Sequence, residues 1–273
     1  MCRAPAQEAT CCVWERGLRV AVECPTAAVF NTVQDYLSSW RGPPPGSGEG
    51  PPRHLTIQMS AAGYSLAEGR RPLGTARDLP GILAAVQEWM DFEVAALTTC
   101  TPIHAGVVVL GGRALLLPAA SGAGKSTLVA ALLARGAGYF SDEFALLDET
   151  GRVHPYPRPL QMRDAVHRRR SVPASAWRAP AGGEALAVGL ILALRFVAAG
   201  HLRLRPIAAS EAAMTLLRNT PHRLDESRSL AATVLLAVRH APAFEGVRGE
   251  SAQAAGAIVQ WADGAGGGRL EWP

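Results

Sequence analysis

The first periodic signal along the chain is an alternation. Leu18-Arg19-Val20-Ala21-Val22 puts apolar side chains at every second position, the spacing of a strand with one buried face. His54 to Met59 repeats that signal. Between the two, Arg41 to Arg53 is rich in Pro, Gly and Ser, can sustain neither a helix nor a ladder, and reads as a loop or short linker. From Leu79 the period changes. Ile82, Leu83, Val86, Met90, Val94 and Leu97 recur at helical intervals, so a helix over Leu79–Leu97 is predicted, with Asp78 in its cap region.

In the centre the apolar runs shorten. Val107 to Leu110 and Ala114 to Leu117 flank Gly111-Gly112, a pair able to take the positive φ angles of a tight hairpin turn. A glycine-rich stretch follows, then a helical pattern carried by Leu128, Leu132 and Leu133. Further on, Leu190 to Val197 and Leu202 to Ile207 read as strands, and Ser210 to Leu217 as a helix capped by Ser210. Trp261 and Trp272 are expected to pack, while Asn219 and His222 have no evident task.

Composition narrows the class. A chain of 273 residues with 48% hydrophobic and 18% charged residues suits one large domain or two modest ones and excludes generic disorder. The longest candidate for a membrane span, Ala185 to Leu194, stops at Arg195, short of the roughly 18 residues required, so no membrane partner is expected. Met1-Cys2-Arg3-Ala4-Pro5 opens no export signal, and the odd set of five cysteines, gathered early, reads as reduced thiols, so a cytoplasmic location is expected.

The net charge of +4 does not mark a nucleic-acid binder. Of the 27 basic residues, 26 are arginine, a bias of composition, and nothing arranges them as a nucleic-acid footprint, so no nucleic-acid partner is expected. The same bias isolates Lys125, the only lysine in the chain.

Lys125 lies in Ala119-Ala120-Ser121-Gly122-Ala123-Gly124-Lys125-Ser126, a match to the Walker A pattern at every fixed position except the first, where Ala119 replaces glycine. Such a loop turns successive backbone N–H groups inward around a phosphate, and the helix N-terminus behind it adds a favourable field. Ser121, Gly122, Ala123, Gly124, Lys125, Ser126 and Thr127 are therefore the candidate phosphate-binding residues, with Lys125 bridging the terminal phosphates and Ser126 on Mg²⁺. Alanine at position 119 would be a defect if that position needed a positive φ. The competing reading is a glycine-rich turn ahead of a core helix.

Asp142 and Glu143 place two carboxylates inside an apolar stretch, an unfavourable setting unless they face a cation or a proton-transfer partner. If the segment is extended, the two point to opposite faces. The plainer alternative is a strand end reaching solvent. Arg158 and Arg163 follow, and the rigid Pro157-Arg158-Pro159 would hold a guanidinium for a phosphate or carboxylate, or else form a solvated loop. His167-Arg168-Arg169-Arg170 reads as an exposed, wet surface loop.

His104-Ala105-Gly106, the hairpin strands, the glycine loop with Lys125-Ser126-Thr127, Arg135-Gly136 and Asp142-Glu143 together resemble, in order and spacing, the C-terminal catalytic domain of HPr kinase/phosphorylase. The likeness covers Ile103 to Leu147 and extends to the shorter HPr-kinase-related proteins that accompany peptide maturation, including kinases tailoring lasso peptides. It implies an α/β fold with a P-loop, phosphoenolpyruvate-carboxykinase-like core over residues 96–273 and an N-terminal α+β accessory region over residues 1–95.

The activity it implies is transfer of the γ-phosphoryl group of ATP, with Mg²⁺, to a serine of a peptide or small protein. In that family pattern Asp142 handles the proton of the attacking serine, Ser126 and Glu143 hold the metal with Asp142 beside them, and His104 lies next to the reacting phosphate. Arg158 would assist on the nucleotide, and a homo-oligomer is compatible with the family's habit of forming rings. Three departures stand out. Ala119 replaces a glycine, Glu143 an aspartate, and the N-terminal half does not resemble that family's own N-terminal domain; the family's downstream Arg-Gly signature is also not found, which leaves phosphorolysis and HPr itself without support. A small-molecule kinase or NTPase on the same core, and a nucleotide-sensing module that has lost catalysis, remain as alternatives.

Overall fold

Alternation becomes a sheet at the start of the chain. The computed structural model describes residues 7–13, 18–38, 51–120, 122–163, 169–172, 184–221 and 228–264. The elements of the first part are β1 (Gln7–Val13), β2 (Leu18–Cys24), α1 (Ala27–Ser38), β3 (Arg53–Ser60), β4 (Gly63–Glu68), β5 (Arg71–Ala76) and α2 (Leu79–Leu97). Their five strands pair in chain order, and only β2 and β3 run parallel. Val20, Val22, Leu55, Ile57 and Leu66 form the buried face of this sheet.

Helix α2 has the bounds its apolar period predicts. Asp78 caps it through a 2.9 Å hydrogen bond accepted from the Gly81 N–H, and Pro80 occupies a first-turn position where no N–H is needed. Arg53 fastens the sheet to this helix: its Nη1 donates to Glu93 at 2.8 Å, its Nε to Glu68 at 2.6 Å, and its guanidinium lies 5.4 Å over the Trp89 ring.

The second part runs through β6 (Thr101–Leu110), β7 (Arg113–Pro118), α3 (Lys125–Leu133), β8 (Gly138–Ser141), β9 (Phe144–Leu147) and β10 (Arg152–His154). The chain then makes a short two-stranded sheet, β11 (Leu160–Arg163) with β12 (Arg169–Val172), before β13 (Leu186–Phe196), β14 (Arg203–Pro206), α4 (Ala209–Arg218), α5 (Arg228–Val238), β15 (Ala243–Arg248) and α6 (Ser251–Gly264).

Two compact units result, Met1–Thr98 with Gln161–Pro173, and Thr99–Leu160 with Ala174–Pro273. The boundary near residue 98 is close to the one read from sequence, but Gln161–Pro173 belongs to the first unit and not to the second. Gln161 shows why: its amide donates to the Tyr36 hydroxyl at 3.4 Å and to the Gln87 side chain, which also accepts from Tyr36.

The second unit is built on an eight-stranded mixed sheet ordered β10-β9-β6-β7-β13-β15-β14, with β8 on β6 and a further pairing of β10 with β13. Its central strands β7, β13 and β15 are parallel. The β6–β7 hairpin closes at Gly111 and Gly112, whose φ angles of +54° and +72° are those of a two-residue turn that twists with its strands. Ile103, Val107, Leu116, Ile191, Val234 and Ile258 are among the fully buried side chains of the unit. The molecule is thus mixed α/β.

Several expectations change. Helix α4 begins at Ala209 with Ala208 as cap residue, not Ser210; the Glu211 carboxylate accepts the Ala208 N–H at 2.9 Å and does the capping. Arg169 and Arg170 open β12 where a loop was expected, and Arg163 ends β11. Trp261 packs edge-on against Phe244 at 5.1 Å. Residues 41–50, Ser121, His167, Arg168, His222 and Trp272 lie outside the described residues. Among the described residues no helix is long and apolar enough to cross a membrane.

Candidate functional site

The glycine loop joins the C-terminal end of β7 to the first turn of α3, so a strand, a loop and a helix N-terminus follow one another. Gly124 is the cap residue of α3 in the left-handed region, with φ +81° and ψ +23°. No side chain caps this helix, which leaves its first N–H groups for a ligand. Ala119 carries no strain: the only described non-glycine residue with a positive φ is Ala199. The alanine at the first motif position therefore costs the backbone nothing.

Lys125 folds back over the loop. Its ammonium donates to the carbonyls of Ala119 at 2.8 Å and Ala120 at 3.1 Å, and the residue is only 9% exposed. Burial draws its pKa below the ordinary value, Glu143 and Asp142 oppose that, and Arg158 adds to it. The charge is thus held at the loop by neutral acceptors, which a phosphate can replace with far stronger ones.

Ser126 faces the first of the two acids. Its hydroxyl donates to Asp142 Oδ2 at 2.6 Å. Asp142 is fully buried, and its other oxygen accepts from Arg158 Nε at 2.8 Å and from the Tyr139 hydroxyl at 3.2 Å. The same guanidinium reaches Glu143 Oε2 through Nη2 at 2.8 Å. Asp142 and Glu143 therefore converge on one cation and do not point to opposite faces. The chain bends between the end of β8 and the start of β9, with the Ser141 hydroxyl accepting the N–H groups of Glu143 and Phe144, so strand alternation does not apply there.

Glu143 is the outer member of the cluster. Its side chain is 24% exposed, and Oε1 lies 3.0 Å from His104 Nε2, while His104 Nδ1 lies 3.1 Å from the Glu143 carbonyl. Burial alone would raise the Glu143 pKa; the hydrogen bond from His104 and the charges of Arg158, His104 and Lys125 override it and hold the group at about 2. A depressed carboxylate stabilises the fold above its ordinary value of 4.5 and loses that contribution as the pH falls toward 2. Acid titration of stability should accordingly be steeper for the native chain than for Glu143→Gln between pH 4.5 and 2, by a few kcal/mol in total. Parallel urea melts across that window check this, and superimposable pH profiles would remove the ion cluster from the account.

The support for these groups comes from the elements around them. A tight turn at Asp148–Gly151, in which Asp148 Oδ1 accepts the N–H groups of Thr150 and Arg152, sends β10 back beside β9. From there Tyr156 bonds to the Phe140 carbonyl at 2.9 Å, and the Tyr139 hydroxyl donates to the Arg158 carbonyl at 2.8 Å, which fixes the segment carrying Arg158. Asn219, without a task in the sequence, accepts the His104 N–H at 2.7 Å and anchors that strand end. Gly106 lies under α3, where an added Cβ would approach Val129 to 2.7 Å.

Arg248 is a contact of the glycine loop that the sequence did not reveal. It is 4% exposed, and Nη2 donates to the carbonyls of Ala123 at 3.3 Å and Gly124 at 3.1 Å. It lies 124 residues along the chain from Gly124, and no local motif marks it. Arg158, expected to touch nucleotide, is engaged by the two carboxylates.

Among the described residues no group of three or more His, Cys, Asp and Glu could hold a metal ion by itself. The Ser126 hydroxyl and Asp142 carboxylate instead supply two adjacent hard oxygen donors, the kind of partial set that suits Mg²⁺ arriving with phosphate oxygens and water. Glu143, committed to His104 and Arg158, is less suited to that task. No protein-family model matches the chain, and no curated protein matches it either.

Proposed function

We propose that the chain is an ATP- and Mg²⁺-dependent kinase with a P-loop, phosphoenolpyruvate-carboxykinase-like core that phosphorylates a serine of a peptide or small protein. The observation that carries this reading is the 2.6 Å hydrogen bond from Ser126 to buried Asp142, one residue after an ammonium folded over a glycine loop. A turn serving only to start a core helix has no use for that combination.

In this reading the loop N–H groups and the α3 N-terminus bind the phosphate chain, and Lys125 exchanges the Ala119 and Ala120 carbonyls for phosphate oxygens. Ser126 and Asp142 would hold the metal, which when bound neutralises charge on those oxygens. Glu143, oriented by His104, accepts a hydrogen bond from the acceptor hydroxyl and aligns it as its oxygen bonds to the γ-phosphorus and the bond to the β–γ bridging oxygen breaks, releasing ADP, with the hydroxyl proton passing to water. This exchanges the roles that the family resemblance implies for the two acids. The reason is burial: Asp142 is closed to any acceptor hydroxyl, whereas Glu143 is partly open.

The test is incubation with γ-labelled ATP and Mg²⁺, offered serine-containing peptides in one series and small hydroxylated metabolites in another. Phosphoserine in peptide is the expected product. Label found only in inorganic phosphate or in metabolites would replace this proposal with the NTPase or small-molecule kinase reading.

A further inference from the structure

Three parallel strands of the second unit end at one place. The C-terminal residues of β7, β13 and β15, namely Pro118, Phe196 and Arg248, all line a cavity of about 660 Å³ whose remaining walls are Ala193 to Arg195 of β13, the glycine loop with Thr127 of α3, and the first residues after β15. The carboxyl edge of parallel strands in an α/β sheet is where ligands sit. The volume falls within the range of roughly 300–1,000 Å³ typical of small-molecule sites. A phosphate chain lodged in the loop would occupy only one side of it.

The chemistry of the lining is divided. Ala119, Ala193 and Leu194 supply apolar walls, and Glu250 a carboxylate able to accept hydrogen bonds from sugar hydroxyls or an exocyclic amine. Phe196 is 46% exposed, although large aromatic side chains are usually buried. The Arg248 guanidinium lies 5.4 Å from its ring centroid, and that guanidinium is itself fixed to the Gly249 carbonyl at 3.0 Å and the Ser251 hydroxyl at 3.1 Å, besides the loop carbonyls. A cation held against one face of a ring steadies it for a second flat partner on the other.

We infer that this cavity receives the nucleoside of the nucleotide whose phosphates the glycine loop holds, with the base stacked on Phe196. The inference rests on the phosphate-binding reading and adds to it the site that distinguishes a nucleotide from a bare polyphosphate. Phe196 is then a binding residue, and Arg248 a positioning residue shared by the loop and the stacking ring.

The experiment compares ATP with inorganic tripolyphosphate, both with Mg²⁺, on the full chain. Phe196→Leu, which keeps an apolar side chain over Arg248, should weaken ATP binding about tenfold and leave tripolyphosphate binding within about twofold of wild type. In Phe196→Trp, ATP should quench the new indole fluorescence and tripolyphosphate should not. Unchanged ATP affinity in Phe196→Leu, or equal quenching by the two ligands, overturns the nucleoside site while leaving the phosphate loop standing. Failure of wild type to bind either ATP or tripolyphosphate overturns the phosphate loop, and the nucleoside site with it.

Discussion

Lys125→Ala is expected to lower phosphoryl transfer by about 10²–10³ or more, the usual consequence of deleting a preorganised charge that faces developing negative charge. It should do so without loss of stability. In the folded chain the ammonium is nearly buried, its pKa is drawn down by that burial, and among the described residues it bonds only to two loop carbonyls. Removing it relieves a desolvated charge and leaves the Ala119 and Ala120 carbonyls for water. A thermal melt within a few degrees of wild type, beside a collapse of activity, is the expected pair of results; equal activity would separate Lys125 from the chemistry.

Arg158→Ala is expected to act in the opposite way, through the fold. The arginine side chain is 4% exposed and bridges a carboxylate that is fully buried and a second that is 24% exposed. Taking out the cation leaves two adjacent carboxylates repelling each other with one in the interior, a loss of about 3–5 kcal/mol for breaking a buried ion pair. Arg158→Lys should recover little, because a single ammonium cannot span both Asp142 and Glu143 as the guanidinium fork does. Denaturant midpoints for the two variants check this. If both melt with wild type, the cluster is held by something other than the guanidinium.

The two substitutions also separate what was legible in the sequence from what was not. Local signals carried the glycine loop, its lysine, the Gly111-Gly112 hairpin and the whole of α2, because each rests on backbone chemistry within a few residues: a positive φ, a cap at Asp78, an apolar period. That Ser126 and the two acids share one site followed from residue types and order, but which acid Ser126 bonds to and the direction of Glu143 did not, since the chain bends at the acids and cancels the alternation of a strand.

The choice of partner at Arg158, singled out as a guanidinium for a phosphate or carboxylate, and the whole of the Arg248 contact lay beyond such reasoning for a common cause. Each does its work through partners that only the folded sheet brings near: Asp142 and Glu143 for one, the Ala123 and Gly124 carbonyls for the other. The return of β11 and β12 to the first unit was hidden in the same way, because Gln161 gains its partners on α1 and α2 only after folding.

All of this depends on the glycine loop and Lys125 holding a polyphosphate. Isothermal titration of the full chain with ATP in the presence of Mg²⁺, run beside Lys125→Ala, tests it most directly. Saturable binding near one equivalent in wild type, lost in the variant, is the result expected. Absence of binding in wild type, or the same isotherm from both proteins, would contradict the account.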